Sequence, residues 1–169
     1  MNKNIIILTG FMGSGKTTVG KILANKMNVK FFDVDTIIER ENKIKIHQIF
    51  LKYTENYFRK LELKTIKKII TNLRNKKAVV ALGGGSLENN KNLNLVKNNG
   101  TLFYLKTTFK EIIIRVKKQR KIRPLFQELT LKQLKELLKK RELRYKQAHF
   151  ILNTNKKTPY MVAKEICEK

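Results

Sequence analysis

The sequence predicts a three-layer α/β sandwich in which a five-stranded parallel sheet is flanked by helices. Short apolar runs alternate along the chain with longer amphipathic stretches, which is the order of parallel strands connected by helices. The first run, residues 4–9, has the length and β-branched content of a buried parallel strand. The chain has 169 residues, of which 41% are apolar. We therefore expect a single domain over residues 1–169 with one substantial core.

A glycine-rich loop follows the first predicted strand. Residues 10–17 read Gly-Phe-Met-Gly-Ser-Gly-Lys-Thr and match G-x-x-x-x-G-K-[ST], the phosphate-binding P-loop. Its backbone N–H groups face phosphate oxygens, its lysine reaches the β- and γ-phosphates, and its threonine ligates Mg²⁺. A chance match in a strand-to-helix turn is the alternative, which the helical pattern after the loop disfavours. The sequence thus predicts a P-loop NTPase-type fold that binds a nucleoside triphosphate through Gly13, Ser14, Gly15, Lys16, Thr17 and Thr18.

Two acidic residues, Asp33 and Asp35, lie at the end of the second predicted strand, residues 29–34. The sequence there reads Asp33-Val34-Asp35. If the strand persists, alternation places Asp33 and Asp35 on the same side, at the carboxyl end where open parallel sheets bind ligands. Alternatively, Asp35 is the N-cap of a helix over residues 36–41. Capping and chemistry are compatible, but capping alone needs only one acid.

Three glycines, Gly83, Gly84 and Gly85, follow the third predicted strand, residues 77–82. They either let the backbone approach a ligand closely or form a flexible turn. The carboxyl ends of parallel strands meet at one edge of a sheet. We therefore expect the P-loop, the acidic pair and the glycines to line one site for an anionic, hydroxylated ligand.

A longer helix is predicted from its N-cap, Thr54, to about Leu73. Within it, Arg59 has Glu55 at i−4 and Glu62 at i+3. This spacing is typical of surface ion pairs, which contribute about 0.2–0.5 kcal/mol each. Spacing alone therefore leaves the role of this arginine open between a surface ion pair and ligand binding.

The second half of the chain continues the alternation of helices and strands. Helices are predicted over residues 88–98, 109–117, 131–145 and 159–169, and strands over residues 101–105 and 149–152. Between two of these helices, residues 117–126 carry five cationic side chains with little apolar periodicity. This segment is either a solvated run of charge or a mobile lid, about residues 117–127. Such a lid closes over phosphates and supplies positive charge to the transition state.

The formal net charge is +25, from 38 lysine and arginine residues against 13 aspartate and glutamate residues. Such a balance is typical of proteins that bind nucleic acid or anionic membranes. Here the excess is mostly lysine spread over the whole chain with abundant asparagine and isoleucine, as an AT-rich coding sequence would also give. No basic strand interleaved with aromatic residues is present. We therefore expect no nucleic-acid partner, although the charge would attract anionic substrates.

Metal clusters, disulfides and membrane segments find little support in the sequence. The single cysteine, Cys167, cannot form an internal disulfide and is compatible with a reducing compartment. One cysteine and two separated histidines, His47 and His149, cannot build a metal cluster. The apolar run at the N-terminus is too short for a signal peptide or a membrane span. We expect a cytoplasmic monomer.

Taken in order, these motifs resemble those of the shikimate kinases, small P-loop kinases of the aromatic amino-acid pathway. The resemblance covers essentially the whole chain and is carried by residues 10–17, Asp33-Val34-Asp35, Ile49-Phe50, Glu55 through Phe58-Arg59 to Glu62, Gly83-Gly84-Gly85, Arg123-Pro124-Leu125, and Arg141 with Tyr145. The P-loop alone fits many enzymes, whereas the other motifs at these intervals are more specific. The resemblance implies transfer of the γ-phosphate of ATP to the 3-hydroxyl of shikimate, with Mg²⁺ as cofactor.

The resemblance also implies roles on the acceptor side. Asp35 would hold the ring hydroxyls and accept the proton of the attacking hydroxyl. Arg59 and Arg141 would clamp the carboxylate, whose two oxygens match the guanidinium fork. The remaining implied acceptor contacts are the backbone N–H groups of Gly83, Gly84 and Gly85 and the rings of Phe50 and Phe58.

On the nucleotide side, the resemblance implies that Asp33 holds Mg²⁺ through water beside Thr17, and that Arg123 of the lid reaches the transferring phosphoryl group. Adenine would meet Lys157, Thr158 and Pro159, and would stack on Arg115 or, alternatively, Arg120. The implied catalytic residues are Lys16, Asp35 and Arg123. The chain departs from the family pattern at Thr54, where glycine is usual, and at Asn153, where aspartate is usual.

Two other functions compete with this interpretation. Another small P-loop kinase, acting on gluconate or a nucleoside monophosphate, should lack Arg59 and Arg141 as a carboxylate clamp. A nucleotide-gated nucleic-acid-binding protein would instead explain the positive charge. A filter-binding assay over a salt series would discriminate, because nonspecific electrostatic binding should weaken steeply with salt and should show no competition by shikimate.

Overall fold

The computed structural model describes residues 4–118, 126 and 128–169. Its sheet has five strands in the order β2-β3-β1-β4-β5, and each neighbouring pair is parallel. The strands are β1 (Ile5–Thr9), β2 (Lys30–Asp33), β3 (Ala78–Ala81), β4 (Thr101–Lys106) and β5 (Phe150–Asn153). All five predicted strands are therefore present, and their carboxyl ends meet at one edge of the sheet.

Eight α-helices lie in the described part of the chain. They are α1 (Lys16–Lys26), α2 (Val34–Asn42), α3 (Ile46–Lys52), α4 (Glu55–Asn72), α5 (Asn90–Asn99), α6 (Phe109–Lys118), α7 (Leu131–Tyr145) and α8 (Pro159–Cys167). A short 3-10 turn (Ser86–Glu88) precedes α5. The helix predicted over residues 88–98 therefore begins later than expected, because this turn occupies its first residue.

Alternation along β1 divides the core into two layers. Ile7 faces a cluster that includes Ile66 of α4 and Leu134 of α7. Leu8, the next residue, faces the other cluster with Leu23 of α1 and Val162 of α8. Helices thus cover both faces of the sheet, and the predicted three-layer α/β sandwich is confirmed.

The predicted lid lies mostly outside the described residues, as do Arg120 and Arg123. Among residues 4–118, 126 and 128–169, no helix combines the length and apolar character that a membrane crossing requires.

Candidate active site

The P-loop joins β1 to α1 in a tight turn built on glycines. Gly13 and Gly15 have φ angles of 77° and 94°, in the left-handed region that glycine adopts readily. Gly15 is the N-cap of α1 and offers no side chain to the first turn of that helix. The turn therefore presents a helix N-terminus with its positive dipole end, and Thr17 and Thr18 lie exposed there.

Lys16 extends across the inside of this loop. Its ammonium donates hydrogen bonds to the carbonyl oxygens of Gly10, at 2.7 Å, and Phe11, at 3.1 Å. The side chain is half-buried, so the charge lies within the loop rather than in bulk solvent. Ser14, which was also predicted to bind nucleotide, is buried beneath the same turn.

Asp33 connects the P-loop to the end of β2. The Thr17 hydroxyl donates a 2.8 Å hydrogen bond to Asp33 Oδ2, while Asp33 Oδ1 accepts one from Thr36 N at 3.2 Å. Asp33, not Asp35, is therefore the N-cap of α2. The alternative that made Asp35 this cap is wrong, because the strand ends one residue before Val34 and the helix starts there.

The donor set at this point suits magnesium. A hydroxyl and one carboxylate, Thr17 and Asp33, lie side by side at a helix N-terminus that favours phosphate. Mg²⁺ prefers oxygen ligands, loses its waters reluctantly and is usually bound by one or two carboxylates together with substrate phosphates. No group of three or more His, Cys, Asp or Glu side chains able to hold a metal occurs among the described residues.

Asp35 lies in the first turn of α2 and faces the glycine turn after β3. A Cβ atom at Gly83 would lie 2.7 Å from Asp35 Oδ1, so a larger residue there would displace this carboxylate. Desolvation, reinforced by the carboxylates of Asp33 and Glu62, raises the pKa of Asp35 to about 7, although Lys16 opposes the shift. A carboxylate with such a pKa is matched to proton transfer near neutral pH.

Two arginines converge on the same glycine turn. A Cβ atom at Gly85 would lie 2.5 Å from Arg59 Nη2 and 3.0 Å from Arg141 Nη2. The Arg141 guanidinium also lies 6.0 Å from the centre of the Phe11 ring, and Gly84 packs on the P-loop backbone near Met12 N. The turn therefore brings the two guanidinium groups together, and that of Arg141 also lies beside the P-loop.

Arg59 makes both predicted ion pairs without becoming a surface residue. Its guanidinium contacts Glu55 at 3.0 Å and Glu62 at 2.9 Å, and its side chain is only 15% exposed. Burial works against its charge, but the charge of Glu62 and its hydrogen bond, with Glu55 adding to them, raise the pKa of Arg59. The ion pairs therefore hold a largely buried guanidinium rather than one on the surface.

Residue spacing did not reveal that the carboxylate of Glu62 is buried next to the candidate site. Glu62 is fully buried and accepts hydrogen bonds from the Ser86 hydroxyl at 2.5 Å and from Asn92 Nδ2 at 3.4 Å, in addition to Arg59. The i,i+3 spacing to Arg59 suggests a solvent-exposed pair. No local sequence pattern indicates this burial, because it is produced by Ser86 and Gly83 in the turn after β3, which are distant from Glu62 in the chain.

Tyr145 contacts the glycine turn, and Phe50 and Phe58 form an aromatic pair next to Arg59. The Tyr145 hydroxyl donates a short hydrogen bond to the Gly84 carbonyl, and burial raises the pKa of that hydroxyl, so it remains a donor. Phe50 and Phe58 lie with ring centres 4.8 Å apart, and the Arg59 guanidinium lies 5.3 Å from the Phe58 ring. Phe58 is buried, whereas Phe50 is 43% exposed.

Arg115 links the P-loop to the segment after β5. Its guanidinium donates hydrogen bonds to Ser14 O at 3.4 Å and Thr154 O at 2.6 Å, and its Nε contacts Glu111 at 2.9 Å. Lys157 N donates to the same Thr154 carbonyl at 3.4 Å. Arg115 therefore lies beside the segment that holds the predicted adenine contacts.

Two of those predicted adenine contacts have structural partners of their own. The Lys157 ammonium pairs with Glu165 at 2.5 Å. Thr158 is the N-cap of α8, with its hydroxyl accepting from Met161 N at 3.2 Å, and Pro159 is the first residue of that helix. The side chain of Thr158 is thus committed to the helix.

The sheet is parallel with strand order 2-3-1-4-5, and a P-loop follows its first strand. A glycine turn beside that loop has a half-buried carboxylate at one end and two arginines at the other. Together these features define a P-loop kinase. The family model for shikimate kinase matches residues 12–169. The chain belongs to the shikimate kinase family, whose members are ATP-dependent kinases.

Individual relatives agree with this membership. The shikimate kinase of Sulfurihydrogenibium sp. is 42% identical over 164 residues, which cover 97% of this chain and 96% of the relative. A solved shikimate kinase from Acinetobacter baumannii, in complex with shikimate, superposes with a TM-score of 0.88 at 35% identity and covers 97% of this chain and 90% of that one. The Aquifex aeolicus shikimate kinase gives a TM-score of 0.79 at 35% identity, with coverage of 97% and 94%.

Proposed function

We propose that this protein transfers the γ-phosphate of ATP to the 3-hydroxyl of shikimate, giving shikimate 3-phosphate and ADP. One observation carries the assignment of residues to this reaction. The turn of Gly83, Gly84 and Gly85 has Asp35 at one end and Arg59 with Arg141 at the other, and its middle lies against the P-loop backbone. A hydroxylated carboxylic acid that spans this turn would present a hydroxyl to the acid and its carboxylate to the arginines.

ATP would bind with its β- and γ-phosphates in the P-loop. The backbone N–H groups of Gly13, Ser14 and Gly15 and the N-terminus of α1, with Thr18, would surround the phosphate oxygens. Lys16 would exchange its carbonyl partners for phosphate oxygens, since it already lies inside the loop. Adenine would lie between Arg115 and the segment of Lys157, Thr158 and Pro159, with Arg120 as the alternative stacking residue.

Shikimate would be held by its carboxylate and its ring. Arg59 and Arg141 supply two guanidinium forks, which match the two oxygens of a carboxylate. Backbone N–H groups of the glycine turn would add hydrogen bonds, and Phe50 with Phe58 would form an apolar wall. Sugars without a carboxylate would form no ion pair with these two arginines and should therefore bind more weakly.

Asp35 would act as the general base. Its carboxylate accepts the proton of the 3-hydroxyl as that oxygen forms its bond to the γ-phosphorus and the bond to the β-phosphate oxygen breaks. ADP leaves with the electrons of that bond. The reaction needs alignment and charge neutralisation more than covalent help, and Lys16 with Arg123 of the lid would stabilise the charge on the transferring group.

Magnesium would be held at Thr17 and, through water, at Asp33. When bound, it would neutralise phosphate charge and hold the phosphates in position. The short distance between the two side-chain oxygens supports this placement.

We further propose that the protein acts as a cytoplasmic monomer with no nucleic-acid partner. A filter-binding assay over a salt series tests the last point. Any binding that the charge produces should weaken steeply with salt and should not change on addition of shikimate. Binding that persists at high salt would contradict this proposal.

The reaction itself is tested by a coupled ADP-release assay in which shikimate, gluconate, adenylate and no acceptor are compared. We expect rapid release with shikimate only. Equal release with gluconate or adenylate would favour another small P-loop kinase.

A further inference from the structure

The 3-10 turn that follows the three glycines contacts Arg141 of the proposed clamp directly and reaches Arg59 through Glu62. This turn contains only Ser86, Leu87 and Glu88. Leu87 is buried and anchors the turn in the core. On one side of it, the Ser86 hydroxyl bonds to Glu62, the partner of Arg59. On the other side, the Glu88 carboxylate bonds to Arg141.

Glu88 holds Arg141 through one atom only. The Nε of Arg141 donates a short hydrogen bond to Glu88 Oε1. The terminal nitrogens of this arginine remain on the side of the glycine turn, with Nη2 3.0 Å from where a Cβ of Gly85 would lie. An ion pair at Nε therefore orients the fork without covering the two nitrogens that a carboxylate would use.

Ser86 acts on the other arginine through Glu62. Its hydroxyl donates to Glu62 Oε1 at 2.5 Å, while Glu62 Oε2 accepts from Arg59 Nη1 at 2.9 Å. Both Ser86 and Glu62 are fully buried. The turn thus connects to Arg59 by a chain of two hydrogen bonds that solvent does not reach.

We propose that Ser86 and Glu88 are positioning residues that set the spacing of Arg59 and Arg141 and thereby the enzyme's affinity for the acceptor carboxylate. This inference rests on the proposed clamp. The turn directly follows Gly85, the residue between the two guanidinium groups. A shift of the turn would therefore move both forks relative to the acceptor, while the nucleotide side, held by Arg115 and the P-loop, would keep its geometry.

The test compares steady-state kinetics for shikimate and ATP in the full chain. For Glu88→Ala we expect the KM for shikimate to rise about tenfold, as when a hydrogen bond to a charged group is lost, and the KM for ATP to stay within about twofold. Glu88→Gln keeps an oxygen acceptor for Arg141 Nε and should recover most of the affinity. Ser86→Ala should also raise the KM for shikimate selectively.

Two further variants serve as controls. Glu41→Ala removes an ion pair between α2 and α4, to Lys68 at 2.7 Å, on an exposed surface, and should change neither KM. Arg141→Ala tests the clamp itself. If Glu88→Ala does not fold, Glu88→Asp, which withdraws the carboxylate by one methylene, should produce the same selective rise.

The outcomes separate the two proposals. If Arg141→Ala raises the KM for shikimate and Glu88→Ala does not, the positioning role of the turn is wrong and the clamp stands. If Arg141→Ala has no effect on that KM, the clamp itself is wrong. Equal increases in both KM values for Glu88→Ala would indicate a general structural role and would also overturn the inference.

Discussion

The Thr17 hydroxyl donates a hydrogen bond to Asp33 over 2.8 Å, and this contact joins the start of α1 to the end of β2. The two residues come from neighbouring crossovers of the parallel sheet, and they meet because the carboxyl ends of β1 and β2 lie at the same edge. Asp33 also caps α2 with its second oxygen. One carboxylate therefore serves both the helix that carries Asp35 and the proposed magnesium site.

Asp33→Ala should weaken both functions of this carboxylate. We expect stability to fall by about 1 kcal/mol from loss of the N-cap, and the concentration of Mg²⁺ for half-maximal activity to rise. The matched control is Thr130→Ala, which removes the N-cap of α7, where Thr130 accepts from Gln133 N at 3.3 Å. This control should lose similar stability with an unchanged Mg²⁺ requirement. An equal Mg²⁺ dependence in both variants would mean that Asp33 is only a cap.

Lys16→Met should abolish most turnover while the chain remains folded. The ammonium is proposed to stabilise phosphoryl charge, and loss of one such group typically lowers kcat about 10²- to 10³-fold. Lys21→Met, on the exposed side of α1, is the matched control and should keep normal kcat. Near-normal turnover in Lys16→Met would remove the P-loop from the mechanism.

Asp35→Asn keeps the size of the side chain and removes its basicity. We expect kcat to fall about 10²- to 10⁴-fold, the usual contribution of a positioned general base. Shikimate binding, measured by calorimetry, should change far less, since the amide can still bond to ring hydroxyls. A kcat equal to that of the parent would show that the acid only orients the substrate.

The pH dependence of activity should follow the ionisation of Asp35. Since its pKa in the folded protein is about 7, kcat/KM for shikimate should rise with pH up to about that value and then level off. The pH profile of Asp35→Asn should lack this rise in kcat/KM. A flat profile from pH 5 to pH 8 in the parent protein would argue against Asp35 as the base.

The raised pKa of Asp35 should also make the free energy of unfolding depend on pH. This dependence is measured by comparing the parent protein with Asp35→Asn. The folded chain holds a proton on Asp35 up to about pH 7, whereas the unfolded chain releases it near pH 3.9, the usual pKa of about 3.9 for aspartate. The contribution of this group to stability is therefore fully present at low pH and is lost as pH rises through about 7. In urea titrations, the free energy of unfolding of the parent should fall relative to that of Asp35→Asn as the pH rises from about 3.9 to about 7.

Substitution of Arg59 needs a variant that spares the buried carboxylate. Arg59→Ala would leave Glu62 buried without its main cation, which typically costs about 3–5 kcal/mol. Arg59→Lys keeps a positive charge and loses the fork. We expect calorimetry to show weaker shikimate binding by Arg59→Lys with nearly unchanged ATP binding. Equal losses for both ligands would point to a structural role.

Much of this arrangement could be predicted from local patterns. The P-loop, the five strands and the helix over residues 131–145 follow from residue spacing and hydrophobic period alone. The capping role of Asp33 could not be separated from that of Asp35, because both acids lie within three residues of the strand end. In the structure, β2 ends at Asp33, and Asp33 is therefore the residue that caps α2.

The burial of Glu62 depends on tertiary contacts that no local pattern contains. Its partners Ser86 and Asn92 lie 24 and 30 residues further along the chain. A helical glutamate three residues from an arginine is usually a surface residue, and only the approach of the glycine turn and α5 makes this one a buried anchor. The proposed clamp depends on the same long-range packing, because Arg59 and Arg141 lie on different helices, α4 and α7.

The central claim is that one rim of the sheet holds the triphosphate and the acceptor within reach of Lys16, Asp35 and Arg59. It is tested most directly by a crystal structure of the protein with Mg²⁺, ADP and shikimate. We expect the 3-hydroxyl oxygen within about 2.6–3.2 Å of an Asp35 carboxylate oxygen, the range for proton transfer, and the shikimate carboxylate in contact with Arg59 and Arg141. Shikimate bound with its carboxylate away from both arginines, or with its 3-hydroxyl turned away from Asp35, would contradict the account.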